Sequence, residues 1–109
     1  MNYEIEEYVA VNGKSPFSDW LVKLKDVVAK AKLVARVDRA AHGNFGDWKP
    51  LVEGVFEMRE NYGPGYRIFY GIIGQKVILL LAGSTKRDQK RIIEKAKKNL
   101  ADYERRMKE

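Results

Sequence analysis

Residues 66–82 read Tyr-Arg-Ile-Phe-Tyr-Gly-Ile-Ile-Gly-Gln-Lys-Val-Ile-Leu-Leu-Leu-Ala, and this stretch decides the fold. β-Branched, aromatic and other apolar residues fill both halves, and Gly74-Gln75 separates them. The pattern predicts two strands joined by a tight turn, over residues 66–73 and 76–82. The second strand has no polar face, which is typical of a central strand covered on both sides. We expect Gly83-Ser84-Thr85 to end it.

A third strand is predicted just before this pair. Residues 54–60 alternate between their two faces, and the composition of residues 61–65, Asn-Tyr-Gly-Pro-Gly, predicts a loop. If Gly63 is the midpoint of the resulting hairpin, Arg59 lies directly opposite Arg67. This register therefore predicts an arginine pair on one face of the sheet.

The arginine pair is the strongest candidate for chemistry. Like charges that face each other across two strands destabilise a sheet. A phosphate site would need this arrangement, because guanidinium groups match phosphate oxygens bidentately. The alternatives are a slipped register, or pairing of each arginine with an acid such as Glu57, which lies on the same face.

Other basic residues adjoin the hairpin. Lys86 and Arg87 directly follow the central strand, and Lys49 stands just before the third strand. Together they would extend a basic floor that holds a polyanion, although each by itself is typical of a solvated side chain.

Three further residues have a functional and a structural interpretation. Tyr66 and Tyr70 are candidates for stacking on bases, but they share the parity of Ile68, which favours a place in the core. His42 is a candidate acid or base, yet its position at a helix C-terminus favours an interaction with the helix dipole.

The N-terminal half predicts one strand and two helices. Residues 2–11 alternate as a half-buried strand does, and Ser15-Pro16 has the N-cap and first-turn residues of a helix. Helical spacing then continues to His42. One straight helix of that length would measure about 40 Å, which exceeds what a domain with a radius of gyration of about 13 Å accommodates.

We therefore expect a break near Asp26, which would cap the second helix. Leu24, Val27 and Val28 would face the inside of a helix hairpin. The second helix is expected to end at His42, with Gly43 in the left-handed conformation that follows many helices.

A last helix is predicted from about Asp88. Its apolar stripe comprises Ile92, Ile93, Ala96, Leu100 and Tyr103. The element order is then β-α-α-β-β-β-α, an α+β fold with a mostly antiparallel sheet. The length favours a single domain over residues 1–109.

Composition limits the classes of function. With 21 Lys and Arg against 15 Asp and Glu, the net charge is +6, and residues 86–109 carry ten bases and five acids. This favours an anionic partner such as nucleic acid, the alternative being a solvated, lysine-rich helix face.

Without cysteine there is no disulfide or thiol chemistry, and a single histidine argues against a metal site. The sequence shows no signal peptide or membrane span, so we expect a cytoplasmic protein without metal or cofactor.

Several motifs in order resemble the RelE/ParE toxin superfamily, on the side of the HigB-like, phage-derived addiction module killer proteins. The first is Gly43–Pro50, which reads GNFGDWKP and is similar to a GNFGD-x-KP signature. Glu57–Arg59, Tyr62–Arg67 and Leu79–Lys86 follow at matching spacing, then Gln89 and Ile93–Ala96. The resemblance covers about residues 3 to 103.

The resemblance implies a toxin of a type II toxin–antitoxin pair with a RelE-like fold. RelE-like members are ribosome-dependent endonucleases that cleave mRNA through its own 2′-hydroxyl. Carried over by motif, Arg59, Arg67 and Lys86 are the catalytic candidates, and Lys49, Arg87 and Lys90 the RNA-binding ones. The implied partners are the ribosome, mRNA and an antitoxin of helix-turn-helix type.

Two alternatives stay open at this point. One is a ParE-like toxin that acts by binding DNA gyrase, and the other is a non-catalytic nucleic-acid-binding domain. The chain also lacks a match to the C-terminal tyrosine of some family members, because Tyr103 falls on the apolar stripe. The general base is therefore unassigned.

Overall fold

The structure, a computed structural model, describes residues 2–108. The chain forms β1 (Glu4–Glu7), α1 (Pro16–Lys23), α2 (Val27–Ala41), β2 (Trp48–Pro50), β3 (Phe56–Glu60), β4 (Tyr66–Ile73), β5 (Val77–Thr85), a short 3₁₀ turn (Lys86–Asp88) and α3 (Gln89–Met107). One five-stranded sheet has the order β1-β5-β4-β3-β2, and all neighbours are antiparallel except β1 and β5. The predicted α+β class and mostly antiparallel sheet are confirmed.

The predicted order lacks one strand. Trp48–Pro50 pairs antiparallel with Phe56–Met58 at the edge of the sheet and forms β2, so four strands, not three, lie between α2 and α3. All three residues of β2 are exposed, and one is a proline. A strand of three exposed residues has neither an alternating pattern nor a bounded apolar run, so the sequence signal for it is weak.

β1 is shorter than the ten residues predicted for it. Its pairing with β5 begins at Glu4 and ends after Glu7, where one last backbone bond joins Tyr8 N–H to the Leu80 carbonyl oxygen at 2.9 Å. The Tyr8 side chain is buried against α3, and its hydroxyl donates to Asp102 at 2.6 Å. The chain leaves the sheet after Tyr8, so the alternation in residues 9–11 does not reflect strand pairing.

The two helices begin where their caps predict. Ser15 accepts from the Ser18 N–H at 3.2 Å, and Asp26 accepts from the N–H groups of Val28 and Ala29 at 3.0 and 3.1 Å. The second helix ends at Ala41 with His42 as its C-cap, next to the predicted end, and Gly43 has a φ of 93°. The predicted break at Asp26 is confirmed.

The prediction that Val27 and Val28 face inward is wrong. Val27 is 77% exposed and Val28 50% exposed, whereas Leu24 is partly buried against the core. The buried stripe of α2 begins at Ala29, one residue after the predicted Val28. It consists of Ala29, Leu33, Arg36 and Ala40. These four recur every three to four residues, so a helix that faces the sheet through them turns both valines outward.

The sheet separates two apolar cores. α1 and α2 cover one face, where Leu33, Met58 and Ile68 are buried, and α3 covers the other, where Phe69, Leu79 and Leu81 are buried. Ala96 and Leu100 are the buried residues of the predicted α3 stripe. β5 is covered on both faces, as its apolar run predicts, and it extends to Thr85, beyond its predicted end.

Gly83 lies in this extension of β5, and Trp20 of α1 packs directly on it. A Cβ atom at residue 83 would lie 2.1 Å from Trp20 Cε3, which only glycine avoids. In the described residues 2–108, no helix is both long and apolar enough to cross a membrane.

Candidate functional site

The β3–β4 hairpin brings the two predicted arginines together. Arg59 pairs with Arg67 in the antiparallel register, so the pairing predicted from the midpoint at Gly63 is confirmed. Glu57 lies on the same face and is fully buried. Its carboxylate is 3.0 Å from Arg59 Nε and 3.9 Å from Arg67 Nε. The arginine pair and the pairing with Glu57, which the sequence posed as alternatives, therefore occur together.

Two more elements reach the same carboxylate. Gln89, the first residue of α3, donates from Nε2 to Glu57 Oε1 at 2.7 Å. Lys49 of β2 places its Nζ 3.8 Å from Glu57 Oε2. Burial of an unpaired carboxylate is costly, and these partners offset that cost. We call Lys49, Glu57, Arg59, Arg67 and Gln89 the Glu57 cluster; it has three positive charges and one negative charge.

Arg67 is the recessed member of the Glu57 cluster. It is 6% exposed, and its Nη1 donates to the Tyr66 carbonyl oxygen at 3.0 Å. Its Nε is buried and makes no hydrogen bond within residues 2–108. Sequence reasoning treated Arg59 and Arg67 as equivalent, but the structure exposes about a third of the Arg59 side chain and little of Arg67.

Lys86 joins the edge of the cluster through Gly65. The Lys86 N–H donates to the Gly65 carbonyl oxygen at 3.0 Å, and a Cβ at residue 65 would lie 3.3 Å from Lys86 Cβ and 3.9 Å from Arg67 Nη1. The φ of Gly65 is 85°, which suits glycine and permits this close approach. The backbone thus holds Lys86, whose side chain is exposed, beside the arginine pair.

Arg87 and Lys90 are exposed on either side of Gln89. Since Gln89 points toward Glu57, Arg87 of the 3₁₀ turn and Lys90 of α3 project in other directions. Of the six predicted site residues, the structure therefore unites Lys49, Arg59 and Arg67 around one carboxylate and sets Lys86 beside them. It gives Arg87 and Lys90 no contact with that carboxylate.

The tyrosines of β4 belong to the core, as their parity favours. Tyr66 and Tyr70 are 5% and 2% exposed, and Tyr70 stacks between Phe45 and Phe56. Burial raises the pKa of the Tyr70 hydroxyl well above its usual range, so this group stays neutral. Neither ring is available for stacking on a base.

His42 and Tyr103 also have structural surroundings. His42 is exposed at the end of α2, with Nδ1 2.9 Å from the carbonyl oxygen of Asp38 in the same helix. Tyr103 packs against the core beneath α3, and burial, followed by the nearby Glu6 carboxylate, raises the pKa of its hydroxyl. Neither side chain hydrogen-bonds to the Glu57 cluster, so the structure assigns neither of them as its general base.

Sequence reasoning missed the role of Arg36. This α2 residue is 7% exposed and donates from Nη2 to the carbonyl oxygens of Phe45 and Asp47, both at 3.0 Å. Its Nη1 donates to the carbonyl oxygen of Arg59. Arg36 thereby fixes the loop that leads to Lys49 and the strand that carries Arg59. The available signal was its position in register with the buried stripe of α2.

Comparisons with known proteins agree with this fold. The structure superposes on a chain from the crystal structure of the toxin–antitoxin complex RelBE2 of Mycobacterium tuberculosis with a TM-score of 0.60. The match has 20% sequence identity and covers 79% of this chain and all of the other. The RelE-like fold that the sequence motifs imply is confirmed.

Sequence relatives extend the comparison. An uncharacterized protein of Haemophilus influenzae is 43% identical over 81 residues, which are 74% of this chain and 82% of the relative. The family model described as phage-derived protein Gp49-like matches residues 19–108 and so takes in α2, α3 and the whole Glu57 cluster. The chain belongs to the phage-derived, Gp49-like protein family.

Proposed function

We propose that this protein is the toxin of a type II toxin–antitoxin pair and that it cleaves mRNA on the ribosome. The observation that carries the proposal is the convergence of three cations from β2, β3 and β4 on one buried carboxylate, with Lys86 beside them. Membership of the Gp49-like family and a fold shared with a chain of a toxin–antitoxin complex support the toxin assignment.

The proposed reaction is a transesterification within the RNA. The 2′-hydroxyl oxygen attacks the adjacent phosphorus and loses its proton, the bond from phosphorus to the 5′ oxygen breaks, and that oxygen gains a proton. The products are a 2′,3′-cyclic phosphate and a 5′-hydroxyl end. Negative charge builds on the phosphate oxygens in the transition state, and fixed cations stabilise it.

The exposure of each side chain indicates its role in the proposed reaction. Arg59 and Lys86 present accessible cationic groups and would contact the scissile phosphate directly. Arg67 lies beneath them and would contribute mainly its positive potential, since its side chain is recessed. Glu57 positions both arginines. Lys49, Arg87 and Lys90 would hold neighbouring phosphates of the RNA or of the ribosome.

The proposed partners follow from the same function. A toxin of this type requires a neutralising antitoxin, for which the sequence resemblance implies a helix-turn-helix protein, and it acts in the cytoplasm on translating ribosomes. The net charge of +6 suits both an acidic antitoxin and an RNA substrate.

The test is induction of the wild-type protein and of three variants, with primer extension on a translated mRNA. We expect cleavage and growth arrest with wild type, and a loss of cleavage of about 100-fold or more for Arg59→Ala and Lys86→Ala, the size usual for a lost transition-state donor. Lys76→Ala, an exposed lysine in the β4–β5 turn, is the matched control and should cleave like wild type. Growth arrest without mRNA cleavage would reject the endonuclease.

One observation favours the ParE-like alternative. Arg67 is buried, with its Nε 3.9 Å from the Glu57 carboxylate, as a residue with a purely structural role would be. A gyrase-binding toxin would arrest growth without cutting mRNA and would inhibit DNA supercoiling by purified gyrase. The same set of variants, assayed for supercoiling, separates the two functions.

A further inference from the structure

β5 has a neighbouring strand on both sides for only part of its length. β1 pairs with Val77–Leu80, and the last backbone bond between them is that of Tyr8 with Leu80. From Ala82 to Thr85, β4 lies on one side. On the other side, residues 2–108 supply no strand.

The register shows which backbone groups face this open side. Lys86 N–H bonds to the Gly65 carbonyl oxygen, which continues the β4–β5 register beyond the pairing of Tyr66 with Thr85. Backbone groups of successive residues in a strand point to opposite sides. The backbone groups of Ala82 and Ser84 and the Lys86 N–H therefore point toward β4, whereas the N–H and C=O groups of Gly83 and the N–H of Thr85 point to the open side. The Thr85 carbonyl oxygen accepts the first bond of the 3₁₀ turn that follows.

α1 and α3 turn this open edge into a groove of about 560 Å³. Its floor is Ala82–Gly83, and Trp20 of α1 and Ile92 of α3 supply an apolar surface on the two walls. Asn99 of α3 donates from Nδ2 to the Leu81 carbonyl oxygen at 3.0 Å and closes the end nearest β1. We call this the β5 groove.

The walls of the β5 groove are strongly basic. They carry Lys23, Arg91, Lys95 and Lys98, with Asp19 as the one acid among the lining residues. Of the four cations, only Arg91 has an ion-pair partner within residues 2–108, and that is Asp88 at 3.8 Å. The groove therefore combines the backbone groups of an unpaired strand edge, buried at Gly83 and partly exposed at Thr85, with an excess of positive charge.

We propose that the β5 groove binds an extended, acidic segment of another protein, which adds to the open edge of β5 as a further strand. An unpaired strand edge is a template for such addition, and its N–H and C=O groups supply the main-chain bonds. Acidic side chains of the segment would pair with the lysines on the walls, and apolar ones would pack on Trp20. A nucleic acid would satisfy the charges but would leave the regular strand edge unused. The proposal does not depend on RNA cleavage.

The probe is a synthetic seven-residue peptide of alternating Glu and Val, blocked at both ends, whose binding to the full chain is followed by fluorescence anisotropy. We expect the double variant Lys95→Glu/Lys98→Glu to weaken binding about tenfold or more, because two attractive contacts become repulsive. The matched control, Lys25→Glu/Lys76→Glu, makes the same change of charge at exposed residues outside the groove and should bind within about twofold of wild type.

A second arm tests the strand edge itself. The same peptide, methylated on alternate amide nitrogens, keeps its charge but loses strand donors, and we expect it not to bind. Thr85→Pro removes an edge N–H from the protein at a φ of −80°, which proline tolerates, and should weaken binding several-fold. Circular dichroism of each variant checks its fold, and the methylated peptide decides the matter if Thr85→Pro does not fold.

Three results would overturn the proposal. One is absence of peptide binding up to about 1 mM. Another is equal binding of the methylated and unmethylated peptides, which would show simple charge attraction. The third is an oligouridine that binds through Lys95 and Lys98 and that the peptide fails to displace, which would make the groove a nucleic-acid site.

Discussion

Glu57 is the residue on which the geometry of the basic cluster depends. Arg59 and Arg67 face each other across β3 and β4, and their mutual repulsion is offset by the carboxylate between them. The same carboxylate pairs with Lys49 of β2 and accepts a hydrogen bond from Gln89 of α3. A site that holds phosphate needs an excess of positive charge, and Glu57 allows that excess to be assembled without unfolding the hairpin.

We expect Glu57→Gln to lower the free energy of unfolding by about 3 kcal/mol, the usual effect of removing one partner of a buried ion pair. The amide keeps the shape of the side chain but leaves the two arginines without a counter-charge. Urea unfolding, followed by circular dichroism, measures the change. Glu57→Gln combined with Arg67→Met should recover part of the loss, and equal stability of Glu57→Gln and wild type would contradict this account.

How far the residues of the site could be predicted depends on the kind of information each requires. The arginine pair follows from the hairpin midpoint, because a register is a count along two neighbouring strands. The recessed position of Arg67 does not follow, since it depends on how α3 and the 3₁₀ turn cover the sheet. Gln89 was noticed only as part of a motif, and its bond to Glu57 spans 32 residues.

At the scale of elements, Arg36 joins α2 to the two parts of the chain that carry the basic cluster. Its guanidinium group accepts no hydrogen bond and has five donors, and three backbone carbonyl oxygens use them. These carbonyls lie in the Phe45–Asp47 loop and at Arg59. A single side chain thus takes the place of regular secondary structure between α2, the loop and β3.

We expect Arg36→Lys to lower the free energy of unfolding by about 2 to 3 kcal/mol, because lysine keeps the charge but its single ammonium group cannot reach three separated carbonyls. Thermal and urea unfolding provide the measurement. Arg39→Lys, an exposed position on the same helix, is the matched control and should be neutral. If the two variants were equally stable, Arg36 would not have the role described.

Elements were predicted best where the signal is local. Ser15 and Asp26 mark the starts of α1 and α2 because capping involves residues at most three apart. β2 was missed because its three exposed residues acquire strand geometry only by pairing with β3. The inward orientation predicted for Val27 and Val28 failed because several helical faces of α2 are apolar, and contact with the sheet selects one of them.

For the whole molecule, the ends of the chain are fastened to each other. The Tyr8 hydroxyl donates to Asp102 Oδ2 at 2.6 Å, across 94 residues of sequence. Arg106 contacts the same carboxylate at 2.6 Å and donates to the Val9 carbonyl oxygen at 2.6 Å. The hydrogen bond from Tyr8, and then Arg106 and Arg105, hold the pKa of Asp102 below its usual range, although partial burial opposes them.

The contacts of Tyr8 and Arg106 with Asp102, which we call the terminal clamp, predict that the stability of the fold depends on pH. Because the pKa of Asp102 is lower in the folded than in the unfolded state, the clamp contributes stability above about pH 4, and the contribution is lost as the pH falls through the folded pKa. Asp102→Asn should therefore reduce the loss of stability as the pH falls below about 4. Urea unfolding at several pH values measures it.

Glu104→Gln provides the control for that series. It removes one negative charge from an exposed position on the same helix and should leave the acid dependence close to that of wild type. If both variants changed the slope equally, the effect would come from net charge, which is already +6 at neutral pH, and not from the clamp.

By itself, the sequence determined the class of fold, the helix starts, the central strand and the opposition of two arginines, because each of these follows from periodicity, capping or register among near neighbours. Only the tertiary structure decided that Glu57 would gather Lys49 and Gln89 and that Arg67 would be recessed. It also decided that Arg36 would fasten the loop and that β5 would keep an open edge beside four cations. These features join residues distant along the chain, and no local pattern encodes which of the many possible partners the packed sheet and helices bring within reach.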